Sequence, residues 1–233
     1  MSRMPVAERR AQLIDAALRV ACRDGIDAAT VRAVAAEAGV SLGVVHYCFL
    51  DKDELLRAVA AAITEQNVAG IGDIADAPDL HSLLEAAVLN YWAGIIGNRG
   101  AQLLSYELTT TSLRHSEMGH VAMDQYEGAW SALEVFLQNI EAGAGIRWRL
   151  PHRQLARTIV AIADGFTLGW LVDGDAEAGR FGMLDLAQFL ESQAAPAPGT
   201  DDGPMEHAGQ AGHDEGESAR TVRHVVEHAT LPA

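Results

Sequence analysis

Apolar residues recur at helical spacing along most of this chain. Leu13, Ile14, Ala17, Leu18 and Ala21 share one face of a segment over residues 6–23, the i, i+3, i+4 pattern of an amphipathic helix. Leu55, Leu56, Val59, Ala60 and Ile63 repeat it over 52–69, and Ala122, Tyr126, Ala129, Leu133, Leu137 and Ile140 over 118–142. Further helices are expected over 80–97, 100–114, 152–172 and 183–193, with breaks at the Gly- and Pro-bearing stretches 70–78 and 143–151. No segment alternates between apolar and polar residues, so no strand is expected, and no internal repeat is present. The pattern predicts an all-α protein of about nine helices.

Two of those helices are short and lie in residues 30–55, TVRAVAAEAGVSLGVVHYCFLDKDEL. Thr30 is placed to N-cap the first with its hydroxyl. Val31, Val34, Ala35 and Ala38 give that helix its apolar face. Gly39 ends it, because a left-handed turn residue without a Cβ meets no clash. Ser41 is placed to cap the second, over 42–48. Two helices joined by a short glycine turn form a helix-turn-helix, whose second helix enters the DNA major groove.

Residues 9–57 resemble the TetR family of bacterial transcriptional regulators. The resemblance is carried by Ile14, Ala16 and Ala17, by Gly25, by Thr30, Val31, Val34 and Ala35, by Ala38–Gly39–Val40–Ser41, and by Tyr47, Phe49, Lys52 and Leu55. It implies a three-helix DNA-binding head (residues 1–51) on a helical ligand-binding and dimerisation bundle (52–193). The predicted DNA-facing set is Thr30, Arg32, Ser41, Leu42, Gly43, Val44, His46, Tyr47 and Lys52. Tyr47 and Lys52 resemble phosphate contacts of the family, and Lys52 also opens a helix, whose N-terminus attracts phosphate. The recognition helix lacks Arg, Lys, Asn and Gln, the usual base readers, which limits direct readout. Leu42 and Val44 suit thymine methyls, Gly43 permits close backbone approach, and Arg32 is the nearest guanidinium. Phe49 reads as core, and Tyr47 as either core or phosphate contact.

Charge complicates this picture. The 233 residues carry a net −15, and Lys52 is the only lysine. Residues 1–57 hold eight basic and eight acidic groups, so the remaining residues carry the whole excess. Phosphate attraction dominates non-specific affinity, so non-specific DNA binding is expected to be weak. No run of eighteen apolar residues and no signal peptide is apparent, and the two cysteines, Cys22 and Cys48, read as reduced thiols in a cytoplasm.

In proteins of this family a small molecule binds within the second domain and separates the DNA-reading heads. Candidate lining residues here are Tyr91, Trp92, Tyr106, Glu107, Met118, His120, Met123, Tyr126, Trp130, Phe166 and Trp170, mostly the aromatic and Met types that line apolar pockets. Each has core packing as its alternative. Glu107 and His120 are the expected polar anchors, and Thr109–Thr111, poor helix formers, an expected bend. Ala161, Gly165 and Gly169 form a small-residue ridge, and with Ile162, Leu186 and Leu190 they are the expected surface of a homodimer, in which the last two helices of each subunit pair as a four-helix bundle.

Residues 194–233 are rich in Pro, Gly and acid, the composition of a disordered tail. Its histidines, among them His224 and His228 at i, i+4 spacing, lack a clear ligand set, so no metal and no cofactor is expected. The reading is a repressor that leaves a palindromic double-stranded operator when a small-molecule effector binds. An architectural DNA-binding protein without effector is the alternative. An enzyme is disfavoured, because no phosphate loop, nucleophile elbow or metal set is present.

Overall fold

The computed structural model describes residues 4–69, 77–115 and 119–197. Among them are nine α-helices: α1 (Val6–Asp24), α2 (Val31–Glu37), α3 (Leu42–Cys48), α4 (Lys52–Ala69), α5 (Leu80–Gly97), α6 (Arg99–Arg114), α7 (Gly119–Ala144), α8 (His152–Asp173) and α9 (Ala176–Ser192). A single 3₁₀ turn, Ile26–Ala28, follows α1. The protein is all-α in architecture, as its periodicity predicts.

Local chemistry sets the helix ends. Thr30 accepts a hydrogen bond from the Ala33 amide at 3.1 Å and caps α2. Gly39 closes α2 at φ +66°. The Val40 amide reaches back to the Ala35 carbonyl at 3.0 Å and the Gly39 amide to Ala36 at 3.2 Å, the paired bonds of a Schellman turn. Ser41 departs from expectation: its backbone is extended, as an N-cap requires, but its hydroxyl makes no capping bond. At the next junction the Asp51 carboxylate accepts from the Glu54 amide at 2.8 Å while Glu54 accepts from the Leu50 amide at 2.8 Å.

Two differences from the sequence-based expectation concern the C-terminal part. Helix α9 begins at Ala176, where Asp175 caps the amides of Glu177 and Ala178, rather than near residue 183. Gly179 and Gly182 weaken the helical signal of this stretch, yet both are inside the helix for steric reasons. A Cβ at Gly179 would stand 2.0 Å from the Trp92 ring, and one at Gly182 would stand 2.0 Å from the Phe166 ring. The second difference is a two-stranded antiparallel ribbon, β1 (Ile146–Trp148) with β2 (Ala194–Pro196), in which Trp148 faces Ala194. Three-residue strands are too short to show an alternating pattern. The ribbon is anchored by the Trp148 indole, which donates to the Leu137 carbonyl at 2.9 Å. Residues 194–196 therefore belong to the folded body and not to the tail; the rest of the tail from residue 198, with its histidines, lies outside the described residues.

The buried side chains form two clusters. One holds the head and extends through Leu55, Val59 and Ile63 of α4 into Leu104 and Leu108 of α6. The other is built from α5, α7, α8 and α9 around Leu84, Leu137, Leu155 and Met183. The head thus shares its core with α4 and α6, with no solvent gap at residue 51. By length and composition alone α8 is long and apolar enough to cross a membrane, but it packs against α7 and α9 and carries Arg153, Arg157 and Asp164.

Candidate functional site

The face predicted to meet DNA is assembled on α2, α3 and the start of α4. Val45, Cys48 and Phe49 point inward, Phe49 only 2% exposed. Thr30, Arg32, Ser41, Leu42, Gly43, His46 and Tyr47 are exposed and Val44 is half-buried. Tyr47 is 65% exposed, which excludes its core alternative. Arg10 pins the end of α3: its guanidinium lies 4.2 Å from the centre of the Phe49 ring, pairs with Glu54 at 2.9 Å and donates to the Cys48 carbonyl. Arg19 and Arg23 both pair with Glu37. These interactions occupy three of the head's cations, whereas Arg9, Arg32, Lys52 and Arg57 form no ion pair among the described residues.

The second site is a cavity of about 120 Å³ between α4, α5, α6, α7, α8 and α9. Asp164 of α8 is its electrostatic centre. One carboxylate oxygen accepts from the Tyr106 hydroxyl at 3.1 Å and the other from the Tyr126 hydroxyl at 2.8 Å. Burial pushes the Asp164 carboxyl above its ordinary range, and the two tyrosine bonds partly oppose that shift. Tyr91, Tyr106 and Tyr126 are all pushed well above the ordinary phenol range, by burial first and the nearby Asp164 charge also. They are neutral donors at any physiological pH. The amides in the wall are hydrogen-bonded: Asn67 and Gln102 bond each other reciprocally, and Gln125 donates to Ser105 and accepts from Thr109. The Thr167 hydroxyl is buried, with Tyr106 as its neighbour.

Comparison with known proteins identifies the family. Residues 13–59 match the family described as bacterial regulatory proteins, tetR family. Over 175 residues the chain is 33% identical to the HTH-type nicotine-responsive transcriptional repressor HdnoR of Paenarthrobacter nicotinovorans, covering 73% of this chain and 88% of that protein. The chain belongs to the TetR family. The fold agrees with the crystal structure of a TetR-family transcriptional regulator from Rhodococcus sp., with a TM-score of 0.68 at 22% identity over 79% of this chain and 98% of that one. It is also similar to the multidrug binding protein EbrR complexed with ethidium, with a TM-score of 0.56 at 29% identity over 77% of this chain and 98% of that one.

This TetR-family chain distributes the predicted ligand residues unevenly. Tyr91, Tyr106 and Tyr126 line the cavity. Trp92 and Trp170 do not: they stack edge-on in the second core, with the Trp92 indole bonded to the Ala176 carbonyl at 3.0 Å. Phe166 fills the notch at Gly182. Trp130 lies outside the cavity with Arg153 and Arg157 over its ring. His120 and Met123 are exposed, because they lie on the face of α7 opposite the buried Val121 and Ala122, and Met118 lies outside the described residues. Glu107 is not a cavity anchor either. It turns to the head, where it accepts from the Ile26 amide at 3.3 Å. The residue that sequence reasoning missed is Asp164; its signal is an acid in the middle of the apolar α8.

The expected dimer surface also splits. Ala161, Gly165 and Gly169 are exposed and Ile162 is half-buried, and a Cβ on either glycine would meet nothing within 4 Å in the chain. Leu186 and Leu190 are buried in the second core and line the cavity, because α9 turns that face toward α5.

Proposed function

We propose that the protein is a ligand-responsive transcriptional repressor that binds its operator as a homodimer and releases it when a small molecule fills the cavity around Asp164. The observation that carries this reading is the adjacency of Tyr106 and Glu107 on α6. Tyr106 reaches the cavity carboxylate, and Glu107 holds the Ile26 amide between α1 and α2. A ligand that displaces the Tyr106 hydroxyl would shift a helix that shares the head's core. Such a ligand acts only through its unequal affinity for the DNA-bound and DNA-free forms. Support also comes from the relatives, one named nicotine-responsive and another a multidrug binding protein seen with ethidium and with imidazole.

On this reading the exposed side chains of α3 read the groove, while Tyr47 and Lys52 hold phosphates. The test is fluorescence anisotropy on DNA from upstream of the protein's own gene, followed by selection from genomic fragments if that DNA is not bound. Saturable binding at nanomolar concentration, two subunits per site, is the expected result. Failure to select any sequence above random DNA would overturn the proposal.

A further inference from the structure

We infer that the cavity selects an organic cation with an apolar body, its charge placed against Asp164. The inference rests on the ligand-responsive reading of the same cavity and adds the chemical class of ligand. Among the described residues the wall contains a carboxylate and no Lys, Arg or His. An ionised carboxylate with neutral partners alone is an expensive group to bury. A carboxylate also has about four acceptor positions, and Tyr106 and Tyr126 account for one on each oxygen. The nearby cations are committed elsewhere: Arg153 to Glu127 and Glu134, and both Arg153 and Arg157 to the outer ring of Trp130.

Tyr91, Tyr106 and Tyr126 stand around the carboxylate, and Phe136, Leu133 and Ile159 also line the cavity. Aromatic rings beside a negative group are the surroundings in which cationic nitrogen is bound, as in the cages that hold quaternary ammonium. The wall's amides are engaged with each other, with Ser105 and with Thr109, and none of them brings a positive charge for an anionic ligand. The buried Thr167 hydroxyl, beside Tyr106, is one further polar position in the wall. It suits a hydrogen-bonding atom on the ligand's body. An anion would meet Asp164 at close range, and a neutral ligand would leave its charge uncompensated.

The test compares two molecules of the same shape that differ in charge, trimethylanilinium and tert-butylbenzene. Each is titrated into the full chain with tryptophan fluorescence as the readout, the neutral one to its solubility limit. The cation is expected to bind at least tenfold more tightly, a difference of about 1.4 kcal/mol, and Asp164→Asn is expected to reduce the preference to no more than about twofold. A second measurement needs no variant. Trimethylanilinium keeps its charge at every pH, so in the wild type its advantage should shrink as acid neutralises Asp164. Tyr91, Tyr106 and Tyr126, the titratable groups facing Asp164 from α5, α6 and α7, stay neutral throughout.

Equal or better binding of tert-butylbenzene, absence of cation binding below millimolar concentration, or a preference that survives both Asp164→Asn and acid would overturn the inference. DNA release is followed in the same samples and separates the two readings. Cation binding that depends on Asp164 but leaves operator DNA bound would refute the regulatory reading and retain the ligand class. Release by the neutral molecule alone would do the reverse.

Discussion

Asp164 holds a charge that the fold tolerates rather than uses for stability. Its carboxyl is raised above the ordinary range because burial disfavours the ionised form. A raised carboxyl pKa in the folded state means that the folded protein keeps this proton to higher pH than the unfolded chain does. The stabilisation is fully present below the unfolded value of about 3.9 and is lost as pH rises through the folded value. Asp164→Asn should therefore raise the thermal midpoint at pH 7, with the gap from wild type closing as the pH approaches 4; a variant less stable at pH 7 would contradict this. Lys52 presents the opposite case, a cation with no ion pair among the described residues, at the first position of α4. Lys52→Ala should weaken binding to every DNA sequence alike and flatten the dependence of log affinity on log salt by about one unit. A loss confined to one sequence would assign Lys52 to base readout instead. Neither role was equally legible beforehand. Lys52 stands in a motif whose order fixes its place, whereas the importance of Asp164 depends on tyrosines 38 and 58 residues away, which no local pattern brings together.

Among the elements, α6 connects the two sites. It runs unbroken through Thr109–Thr111, where a bend was expected. The Thr109 hydroxyl bonds the Ser105 carbonyl at 3.0 Å and the Thr110 hydroxyl bonds that of Tyr106 at 2.8 Å, so these side chains are accommodated on the helix. A continuous helix with a cavity residue and a head residue side by side can carry a displacement at one to the other. Glu107→Ala removes the acceptor for the Ile26 amide and leaves the cavity lining intact. It should leave trimethylanilinium affinity within about twofold and reduce the ligand's effect on DNA affinity several-fold, within the 5–150-fold range usual for coupling between sites. An unchanged ratio of DNA affinities with and without ligand would remove Glu107 from the route. The helices themselves were largely readable from apolar spacing, because each buries one stripe. The faces were not: Trp92, Trp170 and Phe166 carry the residue types of a pocket, yet Gly179 and Gly182 draw Trp92 and Phe166 into the α9 packing. Residue type reports burial, and only the path of the neighbouring helix decides between core and cavity.

For the whole molecule, four glycines on α8 and α9 indicate how two copies would meet. Those of α9 are required within the chain, since a Cβ on either would collide with a ring. Gly165 and Gly169 of α8 have no such neighbour, although glycine within a helix costs about 1 kcal/mol relative to alanine. Around them Leu168 is 51% and Val172 83% exposed, and Phe181 of α9 is 57% exposed. Leu168 and Val172 share the face of Gly165 and Gly169 at helical spacing, and exposed apolar surface suits association. A two-fold pairing of this face would cover the α8 ridge and set two recognition helices on one duplex, which a palindromic operator requires. Gly169→Arg tests that arrangement without disturbing the protomer, because the new side chain points into open space and the helix gains propensity. Helical content should be unchanged, sedimentation at micromolar concentration should shift from dimer to monomer, and operator affinity should fall by at least tenfold as the two heads lose their linkage. A wild type already monomeric at that concentration, or a variant that remains dimeric and binds the operator as before, would place the interface elsewhere and leave the exposed α8 glycines without a role in assembly.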